Sequence, residues 1–314
     1  MPEDRSSRPE DGSGMTVGRT DPRWNGHQPE GETETSASEF GGEELVISYP
    51  TTDEPVIDGE SLQVPPGEVT ALVGPNGSGK STLLKGLADQ LGLDAGTVEL
   101  DGADVQTLGP KDLARKLGLL SQENTSPESI PVEKLVEHGR YPHRGFFDGL
   151  SESDREAIGR AIELAGIEHL RSREVGSLSG GQKQLVWIAM ILAQDTDVLL
   201  LDEPTTFLDL HHQLEVMEIV ETLRDESDIT VVLVLHDIDQ AARYADHMVA
   251  LKDGAIYARG SPEEVVTEEL LAEVFEIDAD VDQTDHGPRI VPLRPRHGDD
   301  AGERERGDRP EPEP

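Results

Sequence analysis

The chain has no cysteine among its 314 residues, which excludes disulfides, thiolate metal sites and thiol nucleophiles. Positive charge is also scarce. Lys and Arg number 27 against 65 Asp and Glu, for a formal net charge of -38. No basic stripe is visible, which argues against nucleic acid as a partner. Long apolar runs are missing too. The longest, Leu185–Ala193, has nine residues, where a membrane-spanning helix needs about 20. The N-terminus shows no basic-then-apolar leader pattern. These absences predict a chain that stays in the compartment where it is made and serves a membrane only through another protein.

Acid is abundant and spread along the chain. Residues 1–42 and 279–314 combine Glu, Asp, Ser, Gly and Pro with few apolar positions. Such segments bury too little apolar surface to offset the entropy of ordering, and both are expected to be disordered tails. Residues 43–278 are long enough for one large α/β domain, with a helical insertion at about 125–178. "SESDREAIGRAIELAGIEHL" and "SPEEVVTEELLAEVFEIDADVDQTD" lie in this folded stretch and are also acidic. Self-repulsion on this scale is screened within about 3 Å at 1 M salt. The composition therefore predicts a halophilic source.

The strongest motif is "EVTALVGPNGSGKSTLLKGLADQL". Val69–Val73 reads as a buried strand, and Gly74–Ser81 matches G-x-x-x-x-G-K-[ST] in full. From Lys80 onward, Leu83, Leu84, Leu87 and Leu91 share one helical side. Gly74, Gly77 and Gly79 let backbone N–H groups approach phosphate oxygens, with Pro75, Asn76 and Ser78 completing the loop and Thr82 following it. Lys80 is placed to reach terminal phosphates and Ser81 to offer a hydroxyl to Mg2+. An ordinary Gly-rich turn would explain the glycines but not Lys-Ser-Thr in that register.

"DVLLLDEP" supplies a second buried strand, with Asp202 at its end as a further candidate Mg2+ holder. The adjacent Glu203 is the candidate general base for an attacking water. A third strand, "ITVVLVLHD", ends at His236, a candidate contact for the γ-phosphate or the water. His138, His143, His211 and His212 lack supporting ligands in the sequence and read as surface or structural.

A second glycine loop, "LSGGQ", opens the helix that continues "LVWIAMILA". It has no lysine, so it does not duplicate the first. Ser179, Gly180 and Gly181 at a helix N-terminus suit a γ-phosphate approached from outside. That predicts a loop closing over the nucleotide of a second copy, in a head-to-tail pair that hydrolysis opens.

At this point residues 43–275 resemble the ATP-binding-cassette (ABC) ATPases. The resemblance rests on an ordered set of residues. Tyr49 resembles the aromatic that stacks on adenine, and Gln122 the glutamine that touches Mg2+ and senses the membrane partner. Ser179, Gly180, Gly181 and Gln182 form the family signature. Asp209 resembles the loop aspartate that crosses the dimer interface, Glu203 the catalytic glutamate and His236 the switch histidine. The fold implied is a P-loop core with an antiparallel β subdomain and a helical signature subdomain. Bound ATP and Mg2+ are implied, as is a homodimer of ATPase subunits. Further partners implied are polytopic permease subunits and, indirectly, an extracytoplasmic binding protein. The chain would sit peripherally on the cytoplasmic face of the membrane.

"HGRYPHRGFF" and "TTFLDLHHQ" further resemble the ATPases of ferric-siderophore, cobalamin and haem importers, with siderophore nearest. By the same resemblance the segment holding Tyr141, Arg144, Phe146 and Phe147 is a candidate permease contact. Leu185 departs from the family, which often has Arg there, and Thr206 replaces a common Ser, read as neutral. The alternatives are a soluble ABC-type ATP switch, which usually carries coiled coils or two cassettes, and a phosphate-loop kinase, which leaves "LSGGQ" and Gln122 unexplained.

Overall fold

The structure is a computed structural model that describes residues 37–296 apart from 53, 123, 126, 146, 147, 285 and 286. In chain order its elements are β1 (Phe40–Ile47), β2 (Ile57–Val64), β3 (Val69–Val73), α1 (Lys80–Leu87), β4 (Ala95–Leu100), β5 (Ala103–Asp104), α2 (Pro110–Lys116) and β6 (Leu117–Leu120). There follow α3 (Val132–Val136), α4 (Glu152–Leu164), α5 (Gly180–Leu192), β7 (Val198–Asp202), α6 (Leu210–Glu226), β8 (Thr230–Val234) and α7 (Ile238–Tyr244). The chain continues through β9 (His247–Lys252), β10 (Ala255–Gly260), α8 (Pro262–Val265), α9 (Glu268–Val274), β11 (Ile277–Thr284) and β12 (Gly287–Pro295).

The apolar strands read from the sequence are the centre of a six-stranded sheet ordered β10-β9-β3-β8-β7-β6. Five of these strands are parallel, and β10 pairs antiparallel at the edge. Successive residues of a strand point to opposite faces, and here each face has its own core. Ala71, Leu199, Leu201, Val231 and Leu233 enter the larger one, packed on the helices. Leu72, Val198, Leu200, Val232 and Val234 enter the other. The second core is closed by Leu83, Leu84 and Leu87 of α1 and by Phe40, Leu45, Ile47 and Leu62 of a four-stranded antiparallel sheet. Both faces are covered, so every residue of β3, β7 and β8 is buried, and their sequences are apolar except for Thr70, Asp202 and Thr230. Leu185, at the position where the family often has Arg, is 4% exposed in the larger core.

The helical insertion is present. α3, α4 and a 3₁₀ turn at 137–143 pack around α5. Ser151 caps α4 through a capping box with Asp154, and Ile158, Ala161, Ile162 and Ala165 are core residues. A buried ion pair pins this unit. Arg140 donates to Asp154 at 2.9 Å and to the carbonyl of Ala193 at 2.9 Å, beyond the end of α5.

The tail boundaries need correction. Phe40, inside the expected tail, is 2% exposed and opens β1. Order also extends past 279, since β11 and β12 form an antiparallel hairpin to Pro295. Its acidic composition concealed a cross-strand pattern: Arg289 pairs Asp282 and Arg294 pairs Asp278, each at 2.8 Å. Ala279 and Ile290 meanwhile point into the larger core. The rest of the two expected tails, 1–36 and 297–314, lies outside the described residues, as do Phe146 and Phe147. Among the described residues no helix is long and apolar enough to cross a membrane.

Candidate functional site

Parallel strands with covered faces leave their C-terminal ends as the place where polar side chains converge. Here the ends of β3, β6, β7 and β8 are neighbours, and each delivers one of the singled-out segments. After β3 the chain turns at Gly74, φ 145°. A Cβ there would lie 2.2 Å from the Leu251 carbonyl of β9, so only glycine fits. Gly79, φ 98°, caps α1. Lys80, 4% exposed, spans the loop by donating from Nζ to the carbonyls of Gly74 and Pro75, both at 2.9 Å. Burial lowers its pKa, and the charges of Glu203 and Asp202 oppose that shift.

Ser81 Oγ donates to Asp202 Oδ1 at 2.7 Å, joining the loop to β7. Asp202 is 1% exposed. Burial raises its pKa, while the Ser81 hydrogen bond and Lys85, 3.8 Å from Oδ2, pull it down. Oδ2 accepts no hydrogen bond. Thr82 Oγ1 donates to the Tyr49 hydroxyl at 3.3 Å, which brings the turn after β1 to the start of α1.

Glu203 follows β7 at φ 53°, and its carboxylate is gripped from three directions. His236 Nε2, from the end of β8, lies 2.7 Å from Oε1. Gln122 Nε2, from the end of β6, donates to Oε2 at 2.6 Å. Thr206 Oγ1 donates to Oε2 at 3.2 Å. Thr206, read as neutral in the sequence, is thus part of the site. The signal was its spacing: the turn that closes Thr206 N on the Glu203 carbonyl at 3.2 Å folds the hydroxyl back onto the carboxylate.

The structure therefore gathers Tyr49, Gly74–Thr82, Gln122, Asp202, Glu203 and His236. The second glycine loop is bonded within itself. Ser179 caps α5 and exchanges hydrogen bonds with Gln182, Gln182 N donating to Ser179 Oγ at 3.2 Å and Ser179 N to Gln182 Oε1 at 3.3 Å. Among the described residues no hydrogen bond joins Ser179–Gln182 to Gly74–Thr82. The space beside Gly180 is open. Asp209, with its side chain 68% exposed, caps α6 by accepting from His212 N at 3.1 Å.

The other histidines have local partners. His143 Nε2 lies 2.6 Å from the Gln194 carbonyl, His138 meets Tyr141 ring to ring at 5.3 Å, and His211 lies 3.5 Å from Glu215. Burial lowers the pKa of His143.

Comparison with known proteins follows the same outline. The family model described as "ABC transporter" matches residues 57–206. The chain is 43% identical over 260 residues to the ferric enterobactin transport ATP-binding protein FepC of Escherichia coli (strain K12), covering 82% of this chain and 95% of that one. It is 42% identical over 239 residues to the iron(3+)-hydroxamate import ATP-binding protein FhuC of Bacillus subtilis (strain 168), covering 76% and 88%. Among solved structures, an inward-facing transporter assigned to the metal-chelate ABC type superposes with a TM-score of 0.69 at 27% identity, covering 82% of this chain and 98% of that one. A dimeric bacterial ABC transporter cassette superposes with a TM-score of 0.63 at 27% identity, covering 71% and 98%.

Proposed function

The chain belongs to the ABC transporter family as an ATP-hydrolysing subunit, and from that premise we propose that it energises import of a ferric siderophore. The three-way grip on Glu203 beside the Ser81–Asp202 pair carries the catalytic part of this reading. The cargo rests on FepC and FhuC, both named for iron(3+) chelates. Cobalamin and haem remain alternative cargoes by sequence resemblance.

The backbone N–H groups of Gly74–Thr82 cradle the phosphates, Tyr49 stacks on adenine, and Lys80 exchanges its loop carbonyls for the terminal phosphates. Asp202 has a buried oxygen with no hydrogen-bond donor, which suits a hard cation. Ser81, Asp202 and Gln122 would hold Mg2+, which when bound neutralises charge on the terminal phosphates. A carboxylate has roughly four acceptor sites. Oε2 of Glu203 accepts twice and Oε1 faces only His236. One site on Oε1 is left for the attacking water, and general-base help of this kind contributes about 10²–10⁴ in rate. His236 stands beside that water and the γ-phosphate.

The signature loop serves the nucleotide of a second copy. Ser179 Oγ uses a lone pair on Gln182 N, so its hydroxyl hydrogen is free to donate outward, alongside the open N–H of Gly180. Hydrolysis removes the γ-phosphate and opens the homodimer. The nucleotide-binding unit takes in β1 through β12, with the helical subdomain at about 125–178. Tyr141, 60% exposed, and the half-buried Arg144 form the surface offered to a polytopic permease. The permease places the chain at the cytoplasmic face and links it to an extracytoplasmic binding protein. The acidic excess supports a halophilic setting.

The test is reconstitution in vesicles with the neighbouring permease and binding protein, following ATP hydrolysis and uptake of radio-iron siderophore together. Glu203→Gln should bind ATP, accumulate ATP-dependent dimers and abolish uptake. Wild-type turnover in this variant would remove Glu203 from its role. Hydrolysis with no permease association would favour the soluble ATP switch.

A further inference from the structure

The adjacent histidines His211 and His212 look alike in sequence and differ in the fold. The side chain of His211 is 78% exposed, whereas that of His212 is 19% exposed. His212 lies between the two segments that the site leaves apart from the phosphate loop. Its Nδ1 is 2.9 Å from Asp209 Oδ1, and its backbone N donates to the same oxygen at 3.1 Å. A carboxylate only accepts, so Nδ1 carries the hydrogen of that bond. On the other side the ring covers the signature loop. A Cβ on Gly181 would lie 2.3 Å from His212 Cδ2 and Cγ, which means the imidazole occupies the space a side chain there would need.

Two consequences follow from this placement. First, Asp209 Oδ1 is engaged twice within its own chain, which fixes the carboxylate with Oδ2 on the exposed side. Second, the start of α5 cannot shift toward α6 without displacing the ring, and displacing the ring breaks the bond to Asp209. We propose that His212 is a positioning residue that locks the Asp209 loop to the signature loop, so that both present themselves to the second copy as one rigid surface. The proposal rests on the reading that the signature loop acts on a partner's nucleotide.

The experiment uses the full chain in a Glu203→Gln background, where ATP is retained. Sedimentation measures ATP-driven dimerisation, and a fluorescent ATP analogue measures affinity at concentrations where the chain is monomeric. His212→Leu keeps bulk against Gly181 but removes the Nδ1 donor, while His212→Asn keeps a donor near the same place. His212→Leu should weaken dimerisation about tenfold, the size of one hydrogen bond to a charged group. Nucleotide affinity should stay within about twofold, and His212→Asn should recover most of the loss. Adding His212→Leu to Asp209→Ala should cost nothing further, because the two act through one bond.

Dimerisation of His212→Leu at the parental level overturns the proposal. So does a loss that adds in full to that of Asp209→Ala, or one that follows nucleotide affinity. If His212→Leu does not fold, His212→Met, which also keeps bulk and lacks an N–H donor, takes its place in the same comparisons. Ser179→Arg separates the two layers of the argument. If that variant dimerises normally, the reading of the signature loop fails and the His212 proposal falls with it. If it blocks dimers while His212→Leu does not, only the His212 proposal fails.

Discussion

Glu203 and Phe207 both occupy the left-handed backbone region, at φ 53° and 62°, where a residue with a Cβ is disfavoured by roughly 1–2 kcal/mol. The segment between them offsets that strain with side-chain contacts. Thr206 Oγ1 reaches Glu203 Oε2 at 3.2 Å, and Gln184, on α5, donates to the Pro204 carbonyl at 3.0 Å. Of the three groups holding Glu203, Thr206 is the one least able to touch substrate, so its variants report on orientation alone. Thr206→Val keeps the shape and removes the donor. It should lower kcat by about threefold to tenfold, the value of one hydrogen bond of ordinary strength, with KM for ATP nearly unchanged. Thr206→Ser should restore the rate. Steady-state kinetics in both variants decide the matter. A fall in kcat that Ser does not rescue would make Thr206 a packing residue only.

At the scale of elements, α4 is held to the rest of the fold by charge buried at its first turn. Burial pushes the Asp154 carboxyl up. Hydrogen bonds from Ser151 and Arg140 outweigh it and hold the group at about 2. A carboxyl lowered on folding adds stability that is full above the unfolded value, about 4, and is lost as pH falls through the folded one. For a buried group lowered by nearly two units this amounts to about 2 kcal/mol. Urea unfolding of wild type and Asp154→Asn should therefore differ most near neutral pH and converge between about pH 4 and pH 2. A gap that stays constant down to pH 2 would mean the loss comes from packing rather than from the carboxylate.

On the scale of the whole molecule, 27 basic residues against 65 acidic ones leave a net charge of -38. Exposed ion pairs such as Arg289–Asp282 and Arg171–Glu133 are each worth only about 0–1 kcal/mol. Salt weakens those pairs, but it weakens the far more numerous acid–acid repulsions too, and the second effect wins. Thermal unfolding midpoints should rise between dilute buffer and molar KCl. Unchanged midpoints would discard the halophilic reading. The other whole-molecule prediction concerns assembly. The 3₁₀ turn at 137–143 is anchored underneath by buried Arg140 and leaves Tyr141 60% exposed above it. Tyr141→Ala combined with Arg144→Ala should weaken co-purification with the permease and uncouple uptake, while free-chain ATPase activity persists. Normal assembly in that double variant would place the docking surface elsewhere.

The placement of most candidate site residues is local and was legible in the sequence. Gly74–Ser81, Asp202, Glu203 and His236 each stand at the end of an apolar strand, and the fold needs those strands parallel and covered on both faces. The capping of α4 by Ser151 and its buried apolar stripe likewise rest on cap spacing and helical period, which are short-range. The tertiary structure decided what depends on residues far apart. Composition averaged over 279–295 reads as acid. Only the pairing of β11 with β12 sets Asp against Arg and turns Ala279 and Ile290 inward. Thr206 and His212 are ordinary polar residues until a turn and a helix start aim them at Glu203 and Asp209. That the two glycine loops share no hydrogen bond among the described residues had no signal in the chain at all. Ser179–Gln182 opens α5, which packs against α3 and α4, whereas Gly74–Thr82 follows β3, and only the tertiary packing sets one against the other.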